Sequence, residues 1–535
     1  MENMEATTLG QILENASNAV PHKTALVDGD RRINYQDLNQ MTDALASSLS
    51  DLGLRKGDRV GIYMKSCIEF VVAFYALEKL GIIVAWVNPA YRTQDSEFIL
   101  SNAGVKGVFI CREWEEYDYL ESILEMRKRL PLLESIILVG EGTGDDAHHF
   151  DELIEKGRGR ACPSPSIDPQ KDLAMFIYTS GTTGNPKGAM ITHYQSVRAG
   201  WEYSLGIEAN SDDIFIGVLP MSHSYGCGST LIQPILLQST LVLMAKFDPE
   251  SAFRIIEKEK ITLQLAAPAH YILELNHKNK GQYDLSSLRA GLIAGQPAPK
   301  GLITRVENEM GVYLTSFWGA SEVGPGLGII CPFPSPLEIR EKYIGLPAEG
   351  TQAVVCDLNT REELSDGEVG ELALSGWHLM KGYWENPDET SRQIIEGRLF
   401  MGDLVSRDNN GYFSIFGRNK DLINRGGYKI IPHEIESLIT QHPTVREVCV
   451  VATPNPVLGE NICVCVILQN NLTLSLDEIK EFLKGKVASH KMPNELCIMK
   501  DFPRLSGGVK LKKFGKGGIA ELAAGDKSRE GYRGK

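Results

Sequence analysis

Short apolar runs alternate with helix-length stretches from residue 24 to about residue 350, and no other feature restricts the fold so tightly. TALVDG (24–29) and GDRVGIYM (57–64) read as strands. YQDLNQMTDALASSLSDLG (35–53) and EFVVAFYALEKLG (69–81) read as helices, and IIVAWV (82–87) and GVFI (107–110) as strands again. This alternation predicts βαβ units and parallel sheets. A mixed stretch, 131–170, ends in the proline-rich connector RACPSPSIDPQ. The pattern then resumes. DIFIGVLP, LVLM, ITLQLAAP and RAGLIAG are strand-like, while FRIIEKEK and GLITRVENEMG are helical.

Beyond residue 350 the segments turn β-rich (TQAVVCDL, GEVGELAL, GYFSIFG), with turns at SDGE and DNNG. From about residue 421 the chain reads as a small α+β unit: a helix at PHEIESLITQH, strands at EVCVVATP and ICVCVILQ, a helix at LDEIKEFLKGKV. The final GDKSREGYRGK is polar and reads as disordered. At 535 residues the chain needs two or more domains. A net charge of −14 argues against a nucleic-acid binder, whose affinity depends on neutralising phosphates. The start has no basic region followed by an apolar core, so no signal peptide is expected. The apolar run near residue 70 is interrupted by Glu78, Lys79 and Gly81, so no membrane span is expected either. Ten cysteines without CxxC pairs suit reduced thiols in a cytoplasm.

After the strand-like Leu173–Ile177 comes YTSGTTGNPKG, Tyr178–Gly188, with serine, threonines, glycines and one lysine. Glycines bring backbone N–H groups close to a ligand, and hydroxyls and a lysine add donors, a surface suited to phosphate. The spacing is not that of a Walker A loop. By composition alone such a stretch is more often a turn than a phosphate site. As a string it closely resembles the signature loop of the adenylate-forming superfamily, which includes acyl-CoA synthetases, aryl-acid ligases, peptide-synthetase adenylation domains and luciferases. The resemblance implies that Thr179, Ser180, Gly181, Thr182, Thr183, Gly184 and Lys187 close over ATP phosphates.

Further segments carry the same resemblance in the family's order. WGASEVG (318–324) matches an aromatic-Gly-x-Thr-Glu segment, with Trp318 for the usual tyrosine and Ser321 for threonine. It implies Glu322 as the Mg²⁺ ligand, Trp318 stacked near adenine or the acyl group, and Gly319, Ala320 and Ser321 at the nucleotide. LPMSHSYG (219–226) implies that His223 closes the carboxylate pocket, with Ser224, Tyr225 and Gly226 lining it. No aspartate lies between Asp213 and Phe247 to meet an α-ammonium, so the acid is expected to lack an α-amino group. GQPAP (295–299) implies Gly295, Gln296 and Pro297 beside adenine, with Gly295 also at the acyl pocket. LFMGD and FGRNKD imply Asp403 on the ribose diol, which two carboxylate oxygens match, with Arg418 adding a donor and Lys420 at a hinge. Met401 stands where the family has threonine. RGGYKI (425–430) implies that Arg425, Gly426 and Gly427 line a pantetheine tunnel.

The C-terminal PRLSGGVKLKK departs from the pattern. An ungapped count from Pro503 puts Val509 on the adenylation-lysine position; one inserted residue puts Lys510 there, and loops tolerate insertion. The expected fold is therefore α/β. Residues 1–419 form an AMP-binding domain of two doubly wound α/β subdomains plus a β-rich subdomain. Residues 420–535 form a small mobile α+β domain. The expected activity is that of an AMP-forming acid:CoA ligase using ATP, Mg²⁺ and CoA, acting as a monomer or homodimer. Its catalytic residues are Lys510, His223, Glu322 and Lys420. Small residues in SYGCGST and GPGLG leave room for a ring or a moderate chain, and Ser224 hints at aromatic acids. A carrier-protein-loading enzyme and a non-catalytic nucleotide-binding homologue are the alternatives.

Overall fold

The computed structural model describes residues 4–140, 146–179, 185–469, 472–504, 511–526 and 529–531. Two large sheets carry the first part of the chain. One runs Lys187–Thr192, Leu173–Thr179, Ile83–Trp86, Arg59–Tyr63, Gly107–Cys111, Ser135–Val139, His148–His149. It is parallel except at Lys187–Thr192, which turns back antiparallel on Leu173–Thr179. The other is parallel from Tyr313–Trp318 through Ala290–Ile293, Leu263–Ala266, Ile214–Gly217 and Thr240–Leu243 to Thr24–Asp28. Antiparallel strands finish both of its edges. Its central strands are near-continuous apolar runs because helices cover both faces.

Helix Ile68–Lys79 packs against strands of both sheets. That position explains why EFVVAFYALEKLG is apolar all round without being a membrane span: the helix is buried between two layers. Its one acid among the buried positions, Glu78, lies 3.3 Å from His193. Burial pushes the Glu78 carboxyl well up and the His193 imidazole down to about 4, so burial disfavours the charged form of both.

Five antiparallel strands follow, built on Thr351–Cys356, Gly370–Gly376, Arg398–Arg407, Ile394–Ile395 and Phe413–Arg418. A last mixed sheet holds Ile423–Arg425, Tyr428–Ile430, Val445–Asn455, Gly459–Leu468 and Glu495–Ile498. Buried apolar side chains form one main core from Leu9 to Phe413, a small cluster of Cys356, Ala373 and Phe400, and separate cores from Ile423 onward.

For the described residues of the final stretch, 525–526 and 529–531, the expectation of disorder fails. Residues up to Gly525 complete helix Ile519–Gly525, and Glu530 pairs with Leu496 as an antiparallel bridge. Arg529 lies beside Glu495, Nε to Oε2 2.8 Å, with the two side chains 3% and 2% exposed. Arg529 and Glu530 are polar yet partnered within the fold, a pairing that composition does not reveal.

Candidate active site

Strand Leu173–Thr179 ends at the signature loop, and Lys187 opens the returning strand opposite Thr179. Ser180, Gly181, Thr182, Thr183 and Gly184 lie outside the described residues. Gly188 sits against the Tyr178 ring, where an added Cβ would come within 3.0 Å. Tyr178 in turn donates to Asn102 Oδ1 at 2.8 Å. The Lys187 ammonium is buried, in contact with the Glu389 carboxylate, and 5.4 Å from the centre of the Tyr383 ring.

The second wall begins at Trp318, the last residue of strand Tyr313–Trp318. A Cβ at Gly319 would fall 1.5 Å from the Gly326 carbonyl oxygen, so glycine is what lets the 319–326 turn fold onto itself. That turn buries Glu322, which is 4% exposed. Burial is the largest influence and pushes its carboxyl up; hydrogen bonds from Tyr383 and Thr179 and the nearby Arg418 charge oppose it. Tyr383 donates to Glu322 Oε1 at 2.8 Å. Thr179, Glu322 and Tyr383 therefore meet, although they lie far apart in the chain.

The indole edge of Trp318 is engaged: Nε1 donates to Asp403 Oδ2 at 3.1 Å. Arg418 Nε donates to the other oxygen of Asp403 at 3.0 Å. Asp403 and Arg418 are register partners on adjacent antiparallel strands, so the sheet itself aligns them. Met401, the position that departs from the family's threonine, packs against the main core. Ala320 and Ser321 are partly exposed, and Ser321 Oγ donates to Ser224 Oγ at 3.2 Å.

Ser224 and Tyr225 are buried, whereas His223 is exposed and its Nδ1 accepts the Tyr225 backbone N–H at 3.3 Å. Tyr225 donates to the Leu292 carbonyl at 2.8 Å and faces Tyr203 and Phe317, ring centres 5.9 and 4.7 Å away. Gly226 is packed so closely that a Cβ would lie 2.1 Å from the Pro220 oxygen. Gly295 has φ +91° in open space, with Gln296 and Pro297 partly exposed beside it.

Lys420 is exposed in the short turn Asn419–Asp421, directly after Arg418. Arg425 donates to the carbonyls of His490 and Met492 at 2.8 and 3.3 Å. Gly426 and Gly427, with φ of +55° and +87°, are the two central residues of the hairpin joining Ile423–Arg425 to Tyr428–Ile430. Two successive left-handed residues make a type I′ turn, so the hairpin alone accounts for both glycines. Val509 and Lys510 lie outside the described residues. Of the flanking residues, Arg504 and Leu511 form an antiparallel bridge, and the Lys512 N–H donates to the Pro503 carbonyl at 2.8 Å.

Sequence reasoning missed Tyr383 and Glu389. Both belong to KGYWENPDETS (381–391), which has no unusual composition; only its course beside strand Lys187–Thr192 brings it to the site.

Thr179 at the end of its strand, a buried carboxylate beside it and a second carboxylate gripped by an arginine are the described parts of this site. Residues 13–384 match the family described as AMP-binding enzyme, and residues 434–508 match its C-terminal domain. The chain belongs to the AMP-binding enzyme family, and it is an AMP-forming acid–CoA ligase that uses ATP and CoA. A mitochondrial medium-chain acyl-CoA ligase of Mus musculus is 31% identical, with 95% of this chain and 86% of that protein covered. A long-chain-fatty-acid–CoA ligase of Bacillus subtilis is 30% identical over 95% of this chain and 93% of its own length. Among solved structures, the anthranilate CoA ligase AuaEII with anthranoyl-AMP superposes with a TM-score of 0.86 at 26% identity, covering 95% and 96% of the two chains.

Proposed function

We propose that adenylation takes place between Thr179, Glu322 and Asp403. The observation that carries this reading is the Trp318–Asp403 hydrogen bond, because Trp318 leads directly into the turn that carries Glu322. One turn thus sets the distance between a carboxylate for the ribose and a carboxylate for the metal. Asp403 and Arg418 hold the ribose diol. Thr179, Lys187 and the donors of 180–184 hold the phosphates, and Gly295, Gln296, Pro297, Gly319, Ala320 and Ser321 border the nucleotide. Glu322 is a single buried carboxylate with no further acid, histidine or cysteine grouped into a metal cluster among the described residues. That donor set fits Mg²⁺, which takes one or two carboxylates and completes its shell with phosphate oxygens and water. When bound, Mg²⁺ offsets negative charge on the polyphosphate.

The acid's carboxylate oxygen forms a bond to the α-phosphorus as the bond to pyrophosphate breaks. Lys510 steadies the charge that develops there, and His223 closes the acid's side of the cavity. The CoA sulfur then bonds to the acyl carbon, AMP leaves, and the thiol proton passes to solvent. We divide the chain at 419/420, where the cores separate, with Lys420 as the hinge and Arg425, Gly426 and Gly427 beside the thiol arm. The acid has an apolar body. Ser224, Tyr225, Gly226 and Trp318 line its pocket, and the Tyr203, Tyr225 and Phe317 rings favour a compact chain or a ring over a long one. All ten cysteines are free thiols, which suits the reducing cytoplasm we assign. No helix among the described residues is long and apolar enough to cross a membrane.

Pyrophosphate release and thioester formation, measured over a panel of acids with CoA or with a carrier-protein phosphopantetheine, test this. Acid-dependent pyrophosphate followed by CoA-dependent AMP is the expected result. Thioester on the carrier alone would move the acceptor assignment, and no pyrophosphate with any acid would leave a nucleotide-binding homologue.

A further inference from the structure

The pairing of Lys187 with Glu389 has no part in the assignment above. Glu389 stands in the first turn of helix Pro387–Gln393, where Asn386 Oδ1 accepts its backbone N–H at 3.2 Å. The Lys187 and Glu389 side chains are 8% and 9% exposed. Arg392 Nη1 lies 3.3 Å from the second Glu389 oxygen, and the Gln393 amide 3.5 Å from the first. The lysine contact leads the influences that hold the Glu389 carboxyl below its ordinary range. Tyr383 lies under the ammonium, and Glu385 is the acid that lines the cleft of about 200 Å³ beside it, together with Lys187, Asn102, Asn185 and Asn386. This cradle is itself held in place. The Trp384 N–H donates to the Gly188 carbonyl at 2.8 Å, and the Tyr383 N–H donates to Thr390 Oγ1 at 2.9 Å.

A lysine side chain has many rotamers to lose, and a buried ammonium without an anion is costly. Glu389 answers both problems before any nucleotide arrives. An ammonium has three N–H donors, so one directed at Glu389 leaves two for phosphate oxygens.

We propose that Glu389 is a positioning residue for adenylation, holding the Lys187 ammonium through a buried ion pair at the place where the ATP polyphosphate arrives. This rests on the assignment of Lys187 to the phosphates. Pyrophosphate release in the full-length Glu389→Gln, Glu389→Asp, Lys187→Ala and Lys187→Ala/Glu389→Gln variants tests it, with melting temperature read alongside. Glu389→Gln raises the KM for ATP about tenfold while kcat and the KM values for acid and CoA stay within about threefold. Glu389→Asp restores most of the loss. In the Lys187→Ala background Glu389→Gln changes the ATP KM by less than about twofold, because the cation it holds is gone. Calorimetric ATP binding makes the same comparison where turnover is too slow. Lys187→Ala raising the ATP KM while Glu389→Gln leaves it unchanged overturns the proposal alone, as does full additivity of the two changes. An unchanged ATP KM in Lys187→Ala overturns it together with the phosphate assignment. Absence of acid-dependent pyrophosphate release from the unaltered protein removes the adenylation site itself.

Discussion

The charged site residues Glu322, Asp403 and Lys187 of the long N-terminal part differ sharply in burial from Lys420, at the start of the C-terminal unit. Before residue 419, Glu322, Asp403 and Lys187 are 4%, 4% and 8% exposed, and each already has a partner: Tyr383, Trp318 with Arg418, and Glu389. Beyond it, Lys420 is exposed and Tyr428 is 58% exposed, stacked on the His490 ring with centres 4.5 Å apart. Buried, oriented groups act on a bound phosphate at low local dielectric and need little rearrangement. A surface lysine is screened by water until a ligand displaces it. In the site we propose, the larger part is therefore organised for nucleotide before nucleotide arrives, and Lys420 stays at the surface.

The largest expected effect tests the buried half. Glu322→Gln keeps the Tyr383 hydrogen bond and the volume but removes the negative charge, and pyrophosphate release should fall by about 10²–10³-fold in saturating ATP. Wild-type release at unchanged magnesium dependence would break the comparison, because the buried carboxylate would then be structural. Next comes Lys510→Ala, for which we expect about 10²-fold slower acyl-AMP formation and a near-normal rate from pre-formed acyl-AMP to acyl-CoA. Lys512→Ala is its control. If Lys510→Ala adenylates normally and Val509→Lys accelerates adenylation, the ungapped register is the correct one.

Lys420→Pro should leave acyl-AMP formation within about threefold and slow thioester formation at least tenfold, since proline fixes φ where the backbone must change. Equal losses in both half-reactions, measured by single turnover, would show that Lys420 is no hinge. The smallest effect sharpens the electrostatic account. Trp318→Phe keeps the ring but removes one hydrogen bond to Asp403, which is worth about 1 kcal/mol or a few-fold in the KM for ATP. A change in acid KM with none in ATP KM would return Trp318 to the acyl pocket alone.

Much of this molecule was legible in its residues. The period of the apolar positions announces the parallel strands Thr24–Asp28, Arg59–Tyr63, Ile83–Trp86, Gly107–Cys111 and those from Leu173 to Ile293, and the helices Tyr35–Asp51 and Ile68–Lys79. It does not announce Ser135–Val139 and His148–His149, inside a stretch that reads as mixed, nor Tyr313–Trp318. Periodicity is local, set by burial of one face or of both, so it survives in the sequence. The same holds for YTSGTTGNPKG, WGASEVG and FGRNKD, whose residue types the chemistry itself demands. Asp403 and Arg418 were named as neighbours on one sugar, and the sheet register makes them partners.

Other features exist only because distant segments meet. Tyr383 reaches Glu322, Glu389 reaches Lys187 and Trp318 reaches Asp403 across separations of 61, 202 and 85 residues, and nothing in the local pattern marks them. The tail shows the same limit: GDKSREGYRGK reads as disordered until Glu495 gives Arg529 a buried partner. Gly426 and Gly427 show the converse, since a type I′ hairpin requires them whether or not a thiol arm passes. What the sequence determined by itself was periodicity, turn chemistry and the residue types of the motifs, because each depends on near neighbours along the chain. Which charges are buried, and beside what, was decided by the tertiary structure. Desolvation and pairing depend on atoms that only the completed fold brings together.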